Sequence, residues 1–366
     1  MITPEIYYGI ALSLVQKIGN VSAKTLLSYC GSFESIFKAN DKFLLKIPGI
    51  SVSILEQIRN FDQFDVVDKE IKYIEKNNIQ VYFHFAADYP SRFQPFYESP
   101  FILFKKGNAS LNVDRTLGIV GTRKPTPQGL EWTRELVLAM KADQVSIISG
   151  FAFGIDIAAH KSAFRNQIPT IAVLAGGLEM VYPAEHRHYL DELCEEGALI
   201  TEYYSGMIPD KKRFPMRNRL IAALSDGTLV VESAIKGGSM ITADIAFGYN
   251  KTVMAVPGSP GMKYSEGCNH LIKSQKAELI TSREDILLAM NWDLPTRKQS
   301  HQASLFRELN TQEAALIALL RDRKDMGVDE IRLRLKMKSN EFASMLLTLD
   351  LDGFISQLPG NRIMVK

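Results

Sequence analysis

From Thr116 to about Met290 the chain repeats one pattern: a short, almost wholly apolar segment, a glycine or other chain-breaking residue, then a stretch of helical character. The segments are TLGIVG (116–121), VSIISG (145–150), PTIAVLAGG (169–177), GTLVVE (227–232) and KTVMAVPG (251–258), with a short candidate at AELI (277–280). A strand with one wet face alternates polar and apolar residues, whereas a near-continuous apolar strand is covered on both faces. Such strands alternating with helices predict an α/β domain over 111–290, an extended Rossmann-like parallel sheet with helices on either side. Ligands of such sheets bind at the carboxyl ends of the strands. The glycines that close the strands mark that edge as the working edge.

The flanks read differently. Residues 1–65 predict short helices, and IGNVSAKTLL (18–27) resembles IPGISVSILEQI (47–58). Each has an apolar residue, a glycine turn and a small polar residue opening a helix, as in a helix-hairpin-helix pair. Residues 66–110 read as an ordered connector, with a helix near 66–77, a strand at VYFHF (81–85) and a segment rich in prolines and aromatics. The polar stretch 291–304 reads as a linker. Residues 305–366 predict a winged helix, with helices near 311–323, 327–337 and 339–351 and a closing hairpin, FISQLPGNRIMV. One conflict sits inside it. IRLRLKMK (331–338) alternates with the period of a strand, but Asp329 and Glu330 suit a helix start, and helix is the reading adopted.

Composition narrows the function. The 366 residues carry 43 Lys and Arg against 41 Asp and Glu, a net charge of +2, so a polycation that coats nucleic acid by bulk charge is excluded. Any nucleic-acid site must be a local concentration of charge. The three cysteines, Cys30, Cys194 and Cys268, form no CxxC pair, which argues against a zinc ribbon or disulfide framework and for a reducing cytoplasm. No apolar run is long enough to cross a membrane. The first residues lack a basic segment and carry Glu5, unlike a secretory signal.

Four motifs hold candidate chemistry. IVGTRKPTPQG (119–129) is a strand, a turn and a helix start, where Gly121, Thr122, Arg123 and Lys124 suit an anion. SGFAFGIDIAAH (149–160) offers Ser149, Gly150 and Gly154 for close backbone approach to a ligand, and His160 there reads as a packed helix residue. DKKRFPMRNRL (210–220) is the densest basic run, with Lys211, Lys212, Arg213, Arg217 and Arg219 around Phe214 and Asn218. Basic residues interleaved with an aromatic suit a single strand, whose backbone follows the charge while a base stacks on the ring. ESAIKGGSMITADIAF (232–247) leads Gly237, Gly238, Ser239 and Thr242 into a helix, a second phosphate cradle at the same edge. His186 and His188 lack a third ligand and do not read as a metal pair. No nucleophile, base and orienting group assemble from these motifs, so no catalytic residue, cofactor or metal is expected.

At these motifs, and at YPSRF (89–93), PFILFKKG (100–107) and VPG (256–258), the chain resembles the bacterial DNA-processing DprA (Smf) family. One departure is Gly237, where many members carry Ser. The resemblance implies a helical, a Rossmann-like and a winged-helix domain and a non-enzymatic role. It further implies single-stranded DNA binding, dimerisation through the Rossmann-like domain, and loading of RecA recombinase onto incoming single strands during natural transformation. By motif, Arg123 and the basic residues of FPMRNR would grip phosphates and Phe214 would meet bases. Two other readings compete. SDGTLVVESAIKGG (225–238) is faintly similar to the signature of nucleoside-monophosphate phosphoribohydrolases, with Glu232 as the carboxylate. A sequence-specific regulator would need a basic recognition helix, but 339–352 holds Glu341, Asp350 and Asp352 and no Lys or Arg.

Overall fold

The computed structural model describes residues 3–292, 309–322, 326–352, 354–358 and 362–365. It divides into two compact units, Met1–Asp293 and Leu294–Lys366. The expected linker 291–304 lies almost entirely outside the described residues, as do the start of the last domain and the tip of its hairpin.

Six helices open the first unit: α1 (Pro4–Leu14), α2 (Asn20–Cys30), α3 (Phe33–Lys38), α4 (Asp41–Leu44), α5 (Val52–Arg59) and α6 (Phe64–Lys76). The expected hairpin turns fall between α1 and α2 and between α4 and α5, and Ser32, Asn40 and Ser51 cap the helices that follow them. After α6 come β1 (Gln80–Phe83), β2 (Ile102–Gly107), β3 (Thr116–Val120), α7 (Pro127–Ala139), β4 (Ser146–Ser149), α8 (Ile155–Arg165), β5 (Thr170–Val173), α9 (Leu190–Glu196) and β6 (Ala198–Thr201). The unit ends with α10 (Arg213–Leu224), β7 (Gly227–Val230), α11 (Gly238–Gly248), β8 (Thr252–Ala255), α12 (Glu266–Lys273), β9 (Glu278–Leu279) and α13 (Arg283–Ala289).

All nine strands form one sheet in the order β1-β2-β6-β5-β4-β3-β7-β8-β9. From β6 to β9 every pairing is parallel, while β2 runs antiparallel to β6 and β1 antiparallel to β2. Successive strand residues point to opposite faces, so the apolar runs feed two cores. Leu117, Ile119, Ile147 and Leu229 pack under α7, α8 and α13. Val120, Ile148, Val230 and Val253 pack under α10, α11 and α12.

Two expectations are corrected here. Residues 66–110 are not a connector between separate domains: β1 and β2 are built into the sheet. Nor do residues 1–65 stand apart. Ile10, Leu26, Phe33 and Leu55 share one continuous core with Phe101, Phe104 and Leu199 of the sheet side. Polar ties reinforce the junction: the buried Lys24 ammonium donates to Tyr97 O at 2.6 Å, and the buried Glu70 carboxylate accepts from Ser205 N at 2.9 Å. Strand β6 was not expected at all.

The second unit contains α14 (Thr311–Asp322), β10 (Met326–Gly327), α15 (Val328–Leu335), α16 (Ser339–Leu351), β11 (Ile355–Leu358) and β12 (Arg362–Val365). Its sheet has three strands rather than two, ordered β10-β12-β11. Leu316, Ile331, Phe342, Leu349, Ile355 and Ile363 form its core. The helix reading of 331–335 holds, although Leu333, in phase with buried Ile331 by strand period, faces solvent. The helix stops where Lys336 turns left-handed at φ 52°.

Candidate nucleic-acid interface

Strands β3, β4, β5 and β6 are laid down in one direction across the sheet, and β7 then returns to the other side of β3. Loops after β3 and β7 therefore lead to helices on opposite faces and leave a crevice between them, the switch point of a doubly wound sheet. A cavity of about 250 Å³ lies there.

Three backbone segments line it. Gly121, Thr122 and Arg123 follow β3, Ala152 comes from the β4–α8 turn and Asp156 from the first turn of α8. Ser233, Ala234 and the Gly237–Ser239 turn come from the β7–α11 connection. The packing explains the glycines. A Cβ on Gly121 would lie 2.5 Å from Ile155, and Gly154 has φ +83° with a hypothetical Cβ 2.2 Å from Thr122 O. Only glycine allows these turns to nest. Gly237 occupies the N-cap of the eleven-residue α11 with no side-chain cap, leaving the first amides of the helix open to an anion. A Cβ there would stand 2.5 Å from Ser233 Oγ, which accepts from Ser239 Oγ at 2.8 Å.

Helix α10 supplies the fourth wall through Phe214, Arg217 and Asn218. Arg123 and Arg217 both lie over the Phe214 ring, at 5.3 and 5.9 Å, and Tyr182 meets its edge at 5.7 Å. Arg123 is exposed and Phe214 half-buried. Arg217 is only 3% exposed. Its guanidinium donates to Gly150 O and Val173 O, and it sits near the buried Asp156 carboxyl. Burial lowers the Arg217 pKa to about 10, and burial raises that of Asp156 against the opposing pull of Arg217.

The structure thus brings together Gly121, Thr122, Arg123, Phe214, Arg217, Asn218, Gly237, Gly238, Ser239 and Thr242 around one cavity. It places the other predicted residues elsewhere. Lys124 and Lys211 are exposed outside the cavity. Ser149 is buried and donates to Ile119 O at 2.5 Å, and Gly150 lies beneath the Arg217 guanidinium. Gly154 shapes the turn from behind. Arg219 requires a correction. Expected to grip a phosphate, it lies inside α10, 5% exposed, paired with Glu202 at 2.5 Å.

The sequence reading missed Tyr264, Ser233 and Ile241 as cavity lining and left Asp156 off the site. The available signal was the position of Asp156, two residues after Gly154 in the first turn of a helix at the working edge. His160 is packed as expected, with its ring bonded to Thr170 Oγ1 at 2.7 Å and its pKa lowered by burial to about 3. Glu232, the carboxylate of the rival enzymatic reading, points away from the cavity. It accepts from Thr126 N at 2.9 Å and Thr126 Oγ1 at 2.6 Å, tying the β7 end to the start of α7.

Fold and site together define a class: a doubly wound α/β protein with an anion-binding crevice at its switch point and an aromatic ring at the crevice wall. Residues 80–291 match the family described as DNA recombination-mediator protein A, and residues 301–361 match the DprA winged helix domain. The chain belongs to the DNA recombination-mediator protein A (DprA/Smf) family. Protein Smf of Synechocystis is 33% identical over 298 residues, 79% of this chain and 74% of that protein. Protein Smf of Escherichia coli is 31% identical, covering 89% of this chain and 88% of that one. The crystal structure of DNA processing protein A from Streptococcus pneumoniae aligns with TM-score 0.67 at 30% identity, covering 78% of this chain and 98% of that chain. DNA processing protein A from Helicobacter pylori, described as having a unique single-stranded DNA binding mode, aligns with TM-score 0.53 at 28% identity over 59% of this chain and 96% of its own. Among the described residues, no helix is long and apolar enough to cross a membrane.

Proposed function

We propose that the switch-point crevice binds single-stranded DNA and that the chain, as a recombination mediator, presents the bound strand to a RecA-type recombinase. One observation carries the first part. Backbone amides of the β3 and β7 loops and the exposed Arg123 converge on a cavity whose wall is a half-buried phenyl ring. Amides and guanidinium suit phosphates, and the ring suits an unstacked base, which a duplex does not present. The relative from Helicobacter pylori supports the same reading through its single-stranded DNA binding mode. The finer role follows the family: a homodimer joined through the α/β unit, acting without catalysis in a reducing cytoplasm. In line with this, the one carboxylate a nucleotide hydrolase would use, Glu232, is engaged by Thr126.

The test is binding to single-stranded and blunt duplex DNA by anisotropy at several salt concentrations. The single strand should bind more tightly, with a log–log salt slope of about −0.7 per phosphate neutralised. Equal affinity for the two would sink the reading. Release of base from AMP, at a rate that falls in Glu232→Gln, would replace it with the enzymatic one.

A further inference from the structure

The VPG motif at 256–258 plays no part in the crevice just described, yet it builds the wall of a second one. A cavity of about 440 Å³ opens on the other side of the β7 terminus, between α7 and the 256–265 loop. Trp132, Tyr264, Val256 and Pro257 give it flat apolar walls, and Glu232 gives it a carboxylate. Only a thin ridge divides the two cavities. Glu232 lines this one and the next residue, Ser233, lines the other, while Tyr264 lines both. The 121–129 segment wraps the same ridge, with Gly121–Arg123 on the crevice side and Thr126–Gly129 on this side.

The wall is built in advance. Asn269 clamps the loop onto Gly258, accepting from its N–H at 3.1 Å and donating to its carbonyl at 2.8 Å. Gly258 is glycine because a Cβ there would fall 2.2 Å from Ser265 Oγ. Lys263 stands over the Tyr264 ring at 5.7 Å and brings positive charge to the rim. Trp132 is half-buried against the α7 side of the core, and among the described residues its indole N–H has no hydrogen-bond partner. The cavity therefore offers two aromatic surfaces and a carboxylate within one ridge of the phosphate cradle, with a cation at its rim.

We infer that this second cavity receives a nucleobase of the strand whose phosphates sit in the crevice, with Trp132 as its stacking surface. The inference rests on the single-strand reading of the crevice. Aromatic side chains stack on any base, so the pocket holds the strand without reading its sequence.

Trp132 can report its own occupancy. The chain has two tryptophans, and Trp292 lies apart, under Arg115. In a Trp292→Phe background, an oligothymidylate should quench Trp132 emission in step with its anisotropy. An abasic oligodeoxyribonucleotide of equal length, which keeps the phosphates and removes the bases, should bind more weakly and leave the emission unchanged. Trp132→Ala should weaken oligothymidylate binding by roughly 5- to 150-fold at an unchanged salt slope. Trp132→Phe, which keeps a ring and the packing, should recover most of that loss and serves as the folding control by thermal melting. A strand that binds by anisotropy without altering Trp132 emission, or with full affinity for Trp132→Ala, overturns the base pocket and leaves the crevice standing. Absence of binding by the parent chain overturns both.

Discussion

The turn after β3 and the basic run that begins α10 hold the same kind of residue and treat it in opposite ways. Arg123 projects from a loop into solvent at the crevice mouth. Arg217 and Arg219 sit inside the fold, one holding the carbonyls of Gly150 and Val173, the other paired with Glu202. Five basic residues in eleven look like a charged surface, but of those five only Lys211 and Lys212 are exposed. Charge density along a sequence counts cations. It does not say how many remain available to a phosphate. The two internal arginines instead fix α10 against the ends of β4 and β5 and the residue after β6, and so set where Phe214 stands.

The sharpest way to break this contrast is to remove Arg219. Its partner Glu202 is buried and also accepts from Asn20 Nδ2 at 2.9 Å, so the pair links the amino-terminal helices to the sheet side. Removing one member of a buried pair leaves an uncompensated charge and costs about 3–5 kcal/mol. Arg219→Ala should lose stability of that order in chemical denaturation. A variant that unfolds at the parent's denaturant concentration, but no longer binds DNA, would return Arg219 to the interface.

The next effect separates charge from stacking on the exposed side. Arg123→Ala should leave stability near the parent's, because the side chain is exposed. It should weaken single-strand binding by about 1.5–3 kcal/mol, the worth of a hydrogen bond to a charged group, and make the salt slope shallower. Phe214→Ala should lose about 1–3 kcal/mol with the slope unchanged, since stacking displaces no counterion. The two losses need not add, because Arg123 lies over the Phe214 ring and the pair share one strand. Parent-like binding by Arg123→Ala at moderate salt would make the 119–129 turn structural only.

What the sequence disclosed follows the same division. Strands β3, β4, β5, β7 and β8 were legible because burial on both faces demands continuous apolar runs, and their closing glycines marked the working edge. Strand β6 was not, because ALIT is four residues between an acidic helix and the polar EYYS, too short for a period to show. Strand β2 was read as part of a connector, since its last three residues, KKG, are not apolar. The cavity's glycines, Arg123 and Phe214 could be found from local pattern. The burial of Arg217 and Arg219 could not, because their partners Gly150 and Val173 are distant in sequence and Glu202 follows a strand not foreseen. The role of Glu232 in holding Thr126 was hidden for the same reason.

The smallest effect is expected from the largest deletion. Residues 294–366 form their own compact unit with their own core, and Trp292 closes the first unit with its carbonyl accepting from Arg115 at 3.1 Å. A winged helix that grips DNA presents its last helix to the phosphates and needs cations on it. Helix α16 carries none of its own: Ser339, Asn340, Glu341, Ala343, Ser344 and Leu347 form its exposed positions, and the cations beside it, Lys336, Lys338 and Arg332, which donates to Ser339 Oγ at 3.1 Å, cluster at its start. Beyond its start, a phosphate approaching the exposed face of α16 would meet Glu341 rather than a basic group, and Leu347, 59% exposed, suits contact with protein better than with nucleic acid. A chain truncated after Trp292 should therefore keep its single-strand affinity within a few-fold and its salt slope unaltered, because the crevice proposed to neutralise the phosphates is intact. A hundredfold loss, or a shallower slope, would show that the second unit contributes phosphate contacts of its own.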